Sequence, residues 1–107
     1  MTASANLGPP PTREVYPVIL FYKYVAISDA DVFAAEQRAL CSSLGLKGRV
    51  LIASEGINAT LAGPADKVNR YIAALKTDPR CTDIEIKISA GDAGTFPKLV
   101  VKVRPEI

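Results

Sequence analysis

Aromatic and basic side chains recur together in this sequence in a pattern that suits contacts with phosphates and bases. Residues 21–24 read Phe-Tyr-Lys-Tyr, Arg49 opens a later apolar run, and basic residues recur from 98 to 104. Sheets that bind RNA capture phosphates with cations and stack bases on interleaved aromatic rings. The candidates for such contacts are Tyr22, Lys23, Tyr24, Arg49, Lys98, Lys102 and Arg104. Lysines on an edge strand also deter aggregation, and the spacing alone favours that simpler explanation.

A second group of polar residues lies at a predicted bend. Glu55, Gly56 and Asn58 offer a carboxylate, a flexible backbone and a carboxamide that could bind a ligand or orient a base. Asn and Gly also tolerate unusual dihedral angles and cap loops, so these residues could equally satisfy backbone groups of the turn. Glu55 has no identifiable partner for acid or base chemistry, which favours the structural role.

Several common kinds of active site are excluded by residue type. The sequence has no histidine, which removes the commonest general base and with it the Cys-His and Ser-His-Asp systems. Cys41 and Cys81 form no Cys-x-x-Cys motif, so neither a zinc site nor a disulfide scaffold is expected. The loop at 91–94 lacks the lysine and the following helix of a P-loop. We therefore expect no metal, no cofactor and no catalytic residue.

The elements that must position these side chains follow from the hydrophobic pattern. A near-continuous apolar run at 18–25 predicts a central strand. Ser28 and Asp31 have capping-box spacing, which predicts a helix over 29–44 that Gly45 ends. Its predicted inward residues are Phe33, Ala34, Leu40, Cys41 and Leu44. The next predicted elements are a hairpin with strands at 49–54 and 57–62 and a second helix at 64–78. Two further strands are predicted at 82–88 and 99–104.

This order of elements predicts an α+β fold of the ferredoxin-like, or acylphosphatase-like, βαββαβ plan. Two helices would cover one face of an antiparallel sheet that has an extra carboxyl-terminal strand. In the last strand, alternation puts Leu99, Val101 and Val103 under the helices and the basic residues on the helix-free face.

Acylphosphatases themselves use a glycine-rich loop with an arginine after the first strand. The segment at 25–31 has neither, and its two acids, Asp29 and Asp31, would repel an anionic acyl phosphate. The architecture is therefore expected without that activity, and a small-molecule phosphatase is the weakest functional hypothesis.

Composition indicates one globular domain, since 49% of the residues are hydrophobic and 22% are charged. The net charge of +2 is too small to indicate nucleic-acid binding, so a basic face must arise from local arrangement. No apolar run approaches the ~20 residues of a membrane span, and the start lacks a signal-peptide layout. Residues 1–16 are expected to form a flexible arm, and 17–107 the domain, in a cytoplasmic protein.

Three blocks of sequence together resemble the amino-terminal domain of the rhodanese-containing tRNA wobble-uridine hydroxylase family. They are the Phe-Tyr-Lys-Tyr block at 21–24, the block at 48–58 that includes Gly48-Arg49-Val50 and Glu55-Gly56-Ile57-Asn58, and the block at 98–107. The resemblance covers residues 18–107. It implies an acylphosphatase-like domain, then a rhodanese domain and a cysteine-rich tail, in an enzyme that hydroxylates the wobble uridine of tRNA with oxygen.

The resemblance also implies where the chemistry lies. The reactive cysteine of the family belongs to the rhodanese domain, which would follow residue 107, and neither Cys41 nor Cys81 matches its motif. No catalytic residue is carried over. The expected role is a non-catalytic domain that assists tRNA binding. The alternative is an interaction module that docks on the rhodanese domain of the same chain and shapes its active site.

Overall fold

A five-stranded sheet with two helices on one face is built from residues 15–106, the part of the chain that the computed structural model describes. The elements are β1 (Pro17–Tyr24), α1 (Ala30–Ser43), β2 (Lys47–Ala53), β3 (Gly56–Ala62), α2 (Ala65–Leu75), β4 (Lys87–Ala90) and β5 (Leu99–Val103). They confirm the predicted α+β plan with its extra carboxyl-terminal strand. All but the last two residues of the predicted arm at 1–16 lie outside the described part.

The strands lie in the order β4-β1-β3-β2-β5. Neighbours are antiparallel except β2 and β5, which are parallel, so the sheet is mixed and the prediction of a purely antiparallel sheet was wrong. The cause is the loop at 91–98, which carries the chain from one edge of the sheet to the other. It also reverses the chain, and β5 therefore runs in the direction that β1 and β2 share.

The core lies between the sheet and the helices, with α1 over β2 and β5 and α2 near β1. The predicted inward residues of α1 are buried at Phe33, Ala34 and Cys41, whereas Leu40 and Leu44 are only half-buried. Gln37, which the hydrophobic pattern missed, is also buried, and its side-chain oxygen accepts a hydrogen bond of 2.6 Å from the hydroxyl of Tyr71.

The amino terminus of α1 differs from the predicted capping box. Asp29 is the capping residue and makes no side-chain hydrogen bond to the helix. Its carboxylate instead accepts a hydrogen bond of 2.8 Å from the Arg80 guanidinium, which joins the start of α1 to the turn after α2. At the other end of α1, Gly45 has a φ of 69°, as expected for a glycine that ends a helix.

The predicted strand at 82–88 was wrong over residues 82–86, since β4 begins only at Lys87. The ammonium group of Lys76 donates hydrogen bonds of 3.1 Å to the carbonyl oxygens of Thr82 and Ile84. The Thr82 hydroxyl contacts the end of α2 in turn, and the side chain of Ile84 is buried in the core. The alternation of apolar residues is real, but the backbone of this segment bonds to α2 instead of β1.

Candidate functional site

The helix-free side of the sheet, here called the open face, carries most of the basic residues that the sequence singled out. On β2, Val50 and Ile52 are fully buried under the helices, and Arg49 points to the other side, as alternation predicts. Arg49 pairs with Val100 of β5, and Leu51 pairs with Lys102. The outward residues of the five strands include four cations and two tyrosines, namely Lys47, Arg49, Lys87, Lys102, Tyr22 and Tyr24.

Two further cations, Lys98 and Arg104, extend this set along β2 and β5. The amide of Gly48 donates to the carbonyl of Lys98 at 3.0 Å, and the amide of Arg104 donates to the carbonyl of Ile52 at 2.8 Å. The ladder therefore continues past both ends of β5, and alternation keeps Lys98 and Arg104 on the same side as Lys102. The cationic band comprises the exposed residues Lys47, Arg49, Lys98, Lys102 and Arg104.

The cationic band is not neutralised within the described part of the chain. The ion pairs of residues 15–106 involve Lys23 and Arg80 only, so each cation of the band lacks a carboxylate partner there. The outward positions of the five strands also include no Asp or Glu. This side of a chain with a net charge of only +2 is thus locally basic, which is the arrangement that attracts polyanions.

Tyr22 and Tyr24 expose their rings on the open face. They are 62% and 67% exposed, far more than Phe21, which lies between them and is buried in the core. Tyr22 pairs with Asn58 of β3, and three strand spacings of about 4.8 Å place it roughly 14 Å from Lys102 across the sheet. A ligand that contacts both the rings and the cationic band must therefore span roughly 14 Å of the sheet.

Lys23 does not join this surface. It lies on the helix side of β1 with Ile19 and Phe21, and its ammonium group pairs with the carboxylate of Asp83. The hydrogen bond from Lys23 holds the pKa of the Asp83 carboxyl below its ordinary value. Lys23 is therefore not on the open face, and strict alternation from Phe21 would have placed it on the helix side.

Two cations of the open face escaped the sequence analysis. Lys47 lies just before the predicted start of its strand at 49, and Lys87 lies in a strand that was predicted to begin at 82. Both share the outward side with Arg49, through the pairs Lys47–Ala62, Arg49–Thr60 and Leu20–Lys87. Correct strand bounds were the missing signal for Lys47, whereas alternation within 82–88 already placed Lys87 opposite the apolar side.

The group at 55–58 is split by the structure. The bend is Ser54–Glu55, whereas Gly56 and Asn58 belong to β3. The carbonyl oxygens of Glu55 and Ser54 accept hydrogen bonds of 2.9 Å from the amides of Val25 and Ile27. The backbone of the bend thus fixes the loop between β1 and α1, and these two amides are not free to bind an anion.

A cleft of about 340 Å³ opens beside β1, between residues 20–24 and 83–87. It exists because the segment before β4 does not pair with β1, and no pattern in the sequence predicted it. Lys87 and the two tyrosines line the cleft, so it adjoins the open face. We call it the edge cleft.

The two thiols are poor candidates for chemistry. Burial raises the pKa of the Cys41 thiol to about 12 and also raises the pKa of Cys81. Both side chains are fully buried and neither forms a disulfide.

Between residues 15 and 106 no cluster of His, Cys, Asp or Glu could hold a metal ion. Neither described helix is long and apolar enough to cross a membrane.

Comparison with known sequences identifies one family. The model of the UPF0176 acylphosphatase-like domain matches residues 16–107. The chain is 47% identical over 92 residues to a tRNA uridine(34) hydroxylase of Aster yellows witches'-broom phytoplasma, covering 86% of this chain and 30% of the relative. It is also 47% identical over 92 residues to the enzyme of that name from Bacillus pumilus, covering 86% of this chain and 29% of the relative. The chain thus spans less than a third of the length of these relatives.

Solved structures share the fold at low sequence identity. BlrB, a BLUF protein, aligns with a TM-score of 0.69 and 21% identity, over 89% of this chain and 77% of that one. An acylphosphatase from Coxiella burnetii aligns with a TM-score of 0.54 and 14% identity, over 84% of this chain and 92% of that one. These similarities concern the architecture only.

Proposed function

Because this chain belongs to the family of the UPF0176 acylphosphatase-like domain, we propose that it is the non-catalytic, RNA-holding part of a tRNA uridine(34) hydroxylase. In this proposal the open face contacts the tRNA, and the hydroxylation takes place elsewhere in a longer enzyme.

The cationic band is the observation that carries the proposal. Its cations have no carboxylate partner in residues 15–106, and two exposed tyrosine rings lie on the same face. Lysines that merely protect an edge strand would not need to continue inward onto β2, where Arg49 lies. A surface of cations with nearby rings matches the way in which proteins hold single-stranded RNA.

The chemistry of the described residues supports a non-catalytic role. The thiols are buried with raised pKa values, so neither can serve as the nucleophile of a sulfur or oxygen transfer. We propose that the reactive cysteine lies in a rhodanese domain of the longer enzyme. A cytoplasmic location is part of the proposal, since free thiols are typical of reducing compartments.

The test is a titration of this 107-residue chain with unmodified tRNA at several salt concentrations. We expect the logarithm of the association constant to fall linearly with the logarithm of the salt concentration. The slope should be about −0.7 to −0.9 per phosphate contacted. Absence of binding at low salt, or an affinity that salt leaves unchanged, would contradict the proposal.

A second candidate function rests on the outer edge of β5. No described strand covers this edge, and Val103 there is 42% exposed. The Arg38 guanidinium donates to the Val101 carbonyl at 2.8 Å and so blocks part of the edge. The remainder suits contact with another domain, such as the proposed rhodanese domain. Mixing the two domains and recording amide signals by NMR would distinguish this role. RNA should shift the amide signal of Arg49, and a docked domain should shift that of Val103.

A further inference from the structure

We propose that the edge cleft takes one unpaired nucleobase of the RNA whose phosphates lie on the open face. The inference rests on the proposed function and adds a site for the base to the surface for the phosphates. It follows from the backbone groups that β1 leaves unpaired, from the bonds that keep the cleft open, and from the charges on its walls.

Where β1 lines the cleft, some of its backbone groups have no partner among residues 15–106. The β4 ladder pairs Val18 with Ser89 and Leu20 with Lys87, and the Gly91 amide donates to the Tyr16 carbonyl. Even-numbered residues of β1 therefore turn their amides and carbonyls toward β4. Continuing the alternation, Tyr22 and Tyr24 turn theirs the same way, into the cleft, where no described residue bonds to them.

These groups would pair with Glu85 and Asp83 if β4 continued, and three contacts prevent it. Lys76 holds the carbonyls of Thr82 and Ile84 from the side of α2. Ile84 is anchored in the core, and Asp83 is turned to Lys23 by their ion pair. The cleft is therefore fixed by bonds of its own wall and is not a loosely packed loop.

The amides and carbonyls of Tyr22 and Tyr24 that face the cleft match the hydrogen-bonding edge of a base. Each of the two residues presents one amide donor and one carbonyl acceptor, and base edges carry donors and acceptors close together. The cleft volume of about 340 Å³ lies at the small end of the range of about 300–1,000 Å³ for ligand pockets. Tyr22 and Tyr24 line the same cleft, and their exposed rings at its border offer stacking surfaces.

Charge separates the base from its phosphates. Glu85 is exposed on the cleft wall and would repel a phosphate, whereas Lys87 lies at the junction of the cleft and the open face. A base that enters the cleft can thus leave its phosphate beside Lys87.

An added peptide strand is the less favoured occupant. In this part of β1 only Tyr22 and Tyr24 offer edge groups, because the strand ends at Tyr24. A peptide would form few ladder hydrogen bonds there, and β-strand addition depends on such bonds for affinity.

NMR spectra of the ¹⁵N-labelled chain with three probes test the inference. The probes are single-stranded oligouridylate, a duplex RNA of equal charge, and inorganic polyphosphate, which has charge but no bases. We expect all three to shift the amides of Arg49 and Lys102. We expect only the single strand to shift the amides of Tyr22 and Tyr24.

The outcomes separate the two proposals. Equal shifts of the cleft amides with oligouridylate and polyphosphate, or none with either, would overturn the base site while shifts at Arg49 still support RNA binding. Absence of shifts at Arg49 and Lys102 with every probe would overturn the proposed function as well. Shifts of the cleft amides with an added rhodanese domain, and not with the single strand, would give the cleft to a protein partner and also overturn the base site.

Exposed-ring variants give an independent readout. Tyr24→Ala should weaken binding of the single strand roughly tenfold through lost stacking, and Tyr24→Phe should restore it. Binding of polyphosphate should stay unchanged in both variants. Equal weakening for the two probes would show that the ring does not meet a base.

Discussion

Arg80 joins three parts of the chain through one side chain. Its guanidinium bonds to Asp78 at 2.7 Å and to Asp29 at 2.8 Å, and it lies 4.5 Å from the centre of the Phe33 ring. The sequence placed Arg80 only as a neighbour of Cys81, because nothing in the spacing links it to Asp29, 51 positions earlier. Long-range ion pairs of this kind have no local signal.

We predict that Arg80→Ala lowers the free energy of unfolding by about 1–2 kcal/mol, since a cation–π contact and two partly exposed ion pairs are lost together. Urea unfolding measures the change. Arg70→Ala removes an exposed arginine of α2 that has no ion pair within residues 15–106, and it should stay within about 0.5 kcal/mol of the parent. Equal losses in both variants would contradict the role of Arg80.

The same contact has a pH signature. The hydrogen bond from Arg80 holds the pKa of the Asp78 carboxyl below its ordinary value of 3.8. A lowered pKa stabilises the fold above the ordinary value, and this part is lost as the pH falls below 3.8. Unfolding curves between pH 5 and pH 2.5 should therefore lose stability less steeply in Arg80→Ala than in the parent. Parallel slopes would contradict this coupling.

At the scale of elements, β2 depends on one glycine. Gly48 has a φ of 131°, and a Cβ there would overlap the carbonyl oxygen of Thr60 on β3. Gly45 has a φ of 69°, but a Cβ there would meet no atom of residues 15–106 within 4 Å. The two positions therefore separate backbone strain from steric overlap.

We predict that Gly48→Ala costs more than about 3 kcal/mol, whereas Gly45→Ala costs only the strain of about 1–2 kcal/mol. Thermal and urea unfolding of both variants measure the difference. Similar small losses at the two positions would show that β2 and β3 can separate at little cost.

The bounds of β4 show what alternation can and cannot predict. It correctly gave the buried face of 82–88, with Ile84 inward, yet it could not show that Lys76 would bind the carbonyls of this segment. We predict that Lys76→Met speeds hydrogen exchange at the amides of Cys81 and Ile84, which close the turn after α2. Lys67→Met in α2 serves as the control. Unchanged exchange at both amides would show that the buried Ile84 alone holds the segment.

At the scale of the whole molecule, the fold was predictable because each element has its own signal and the βαββαβ order has few arrangements. The parallel pairing of β5 with β2 was not predictable, since it depends on which edge of the sheet the chain reaches after the loop at 91–98. The cationic band of the open face was predictable in part. Alternation predicts which residues of a strand share a side, but not which acidic side chains form ion pairs with them. Lys23 and Asp83 show this limit.

The most direct test compares the salt dependence of tRNA binding in two double variants. Arg49→Ala with Lys102→Ala removes two cations of the open face, and Lys67→Ala with Arg70→Ala removes the same charge from α2. If the open face holds the phosphates, the first should lower the salt slope by about 1.4–1.8 and weaken binding, because each cation accounts for about 0.7–0.9 of the slope. The second should leave the slope unchanged. Equal slopes for the two double variants would contradict the account.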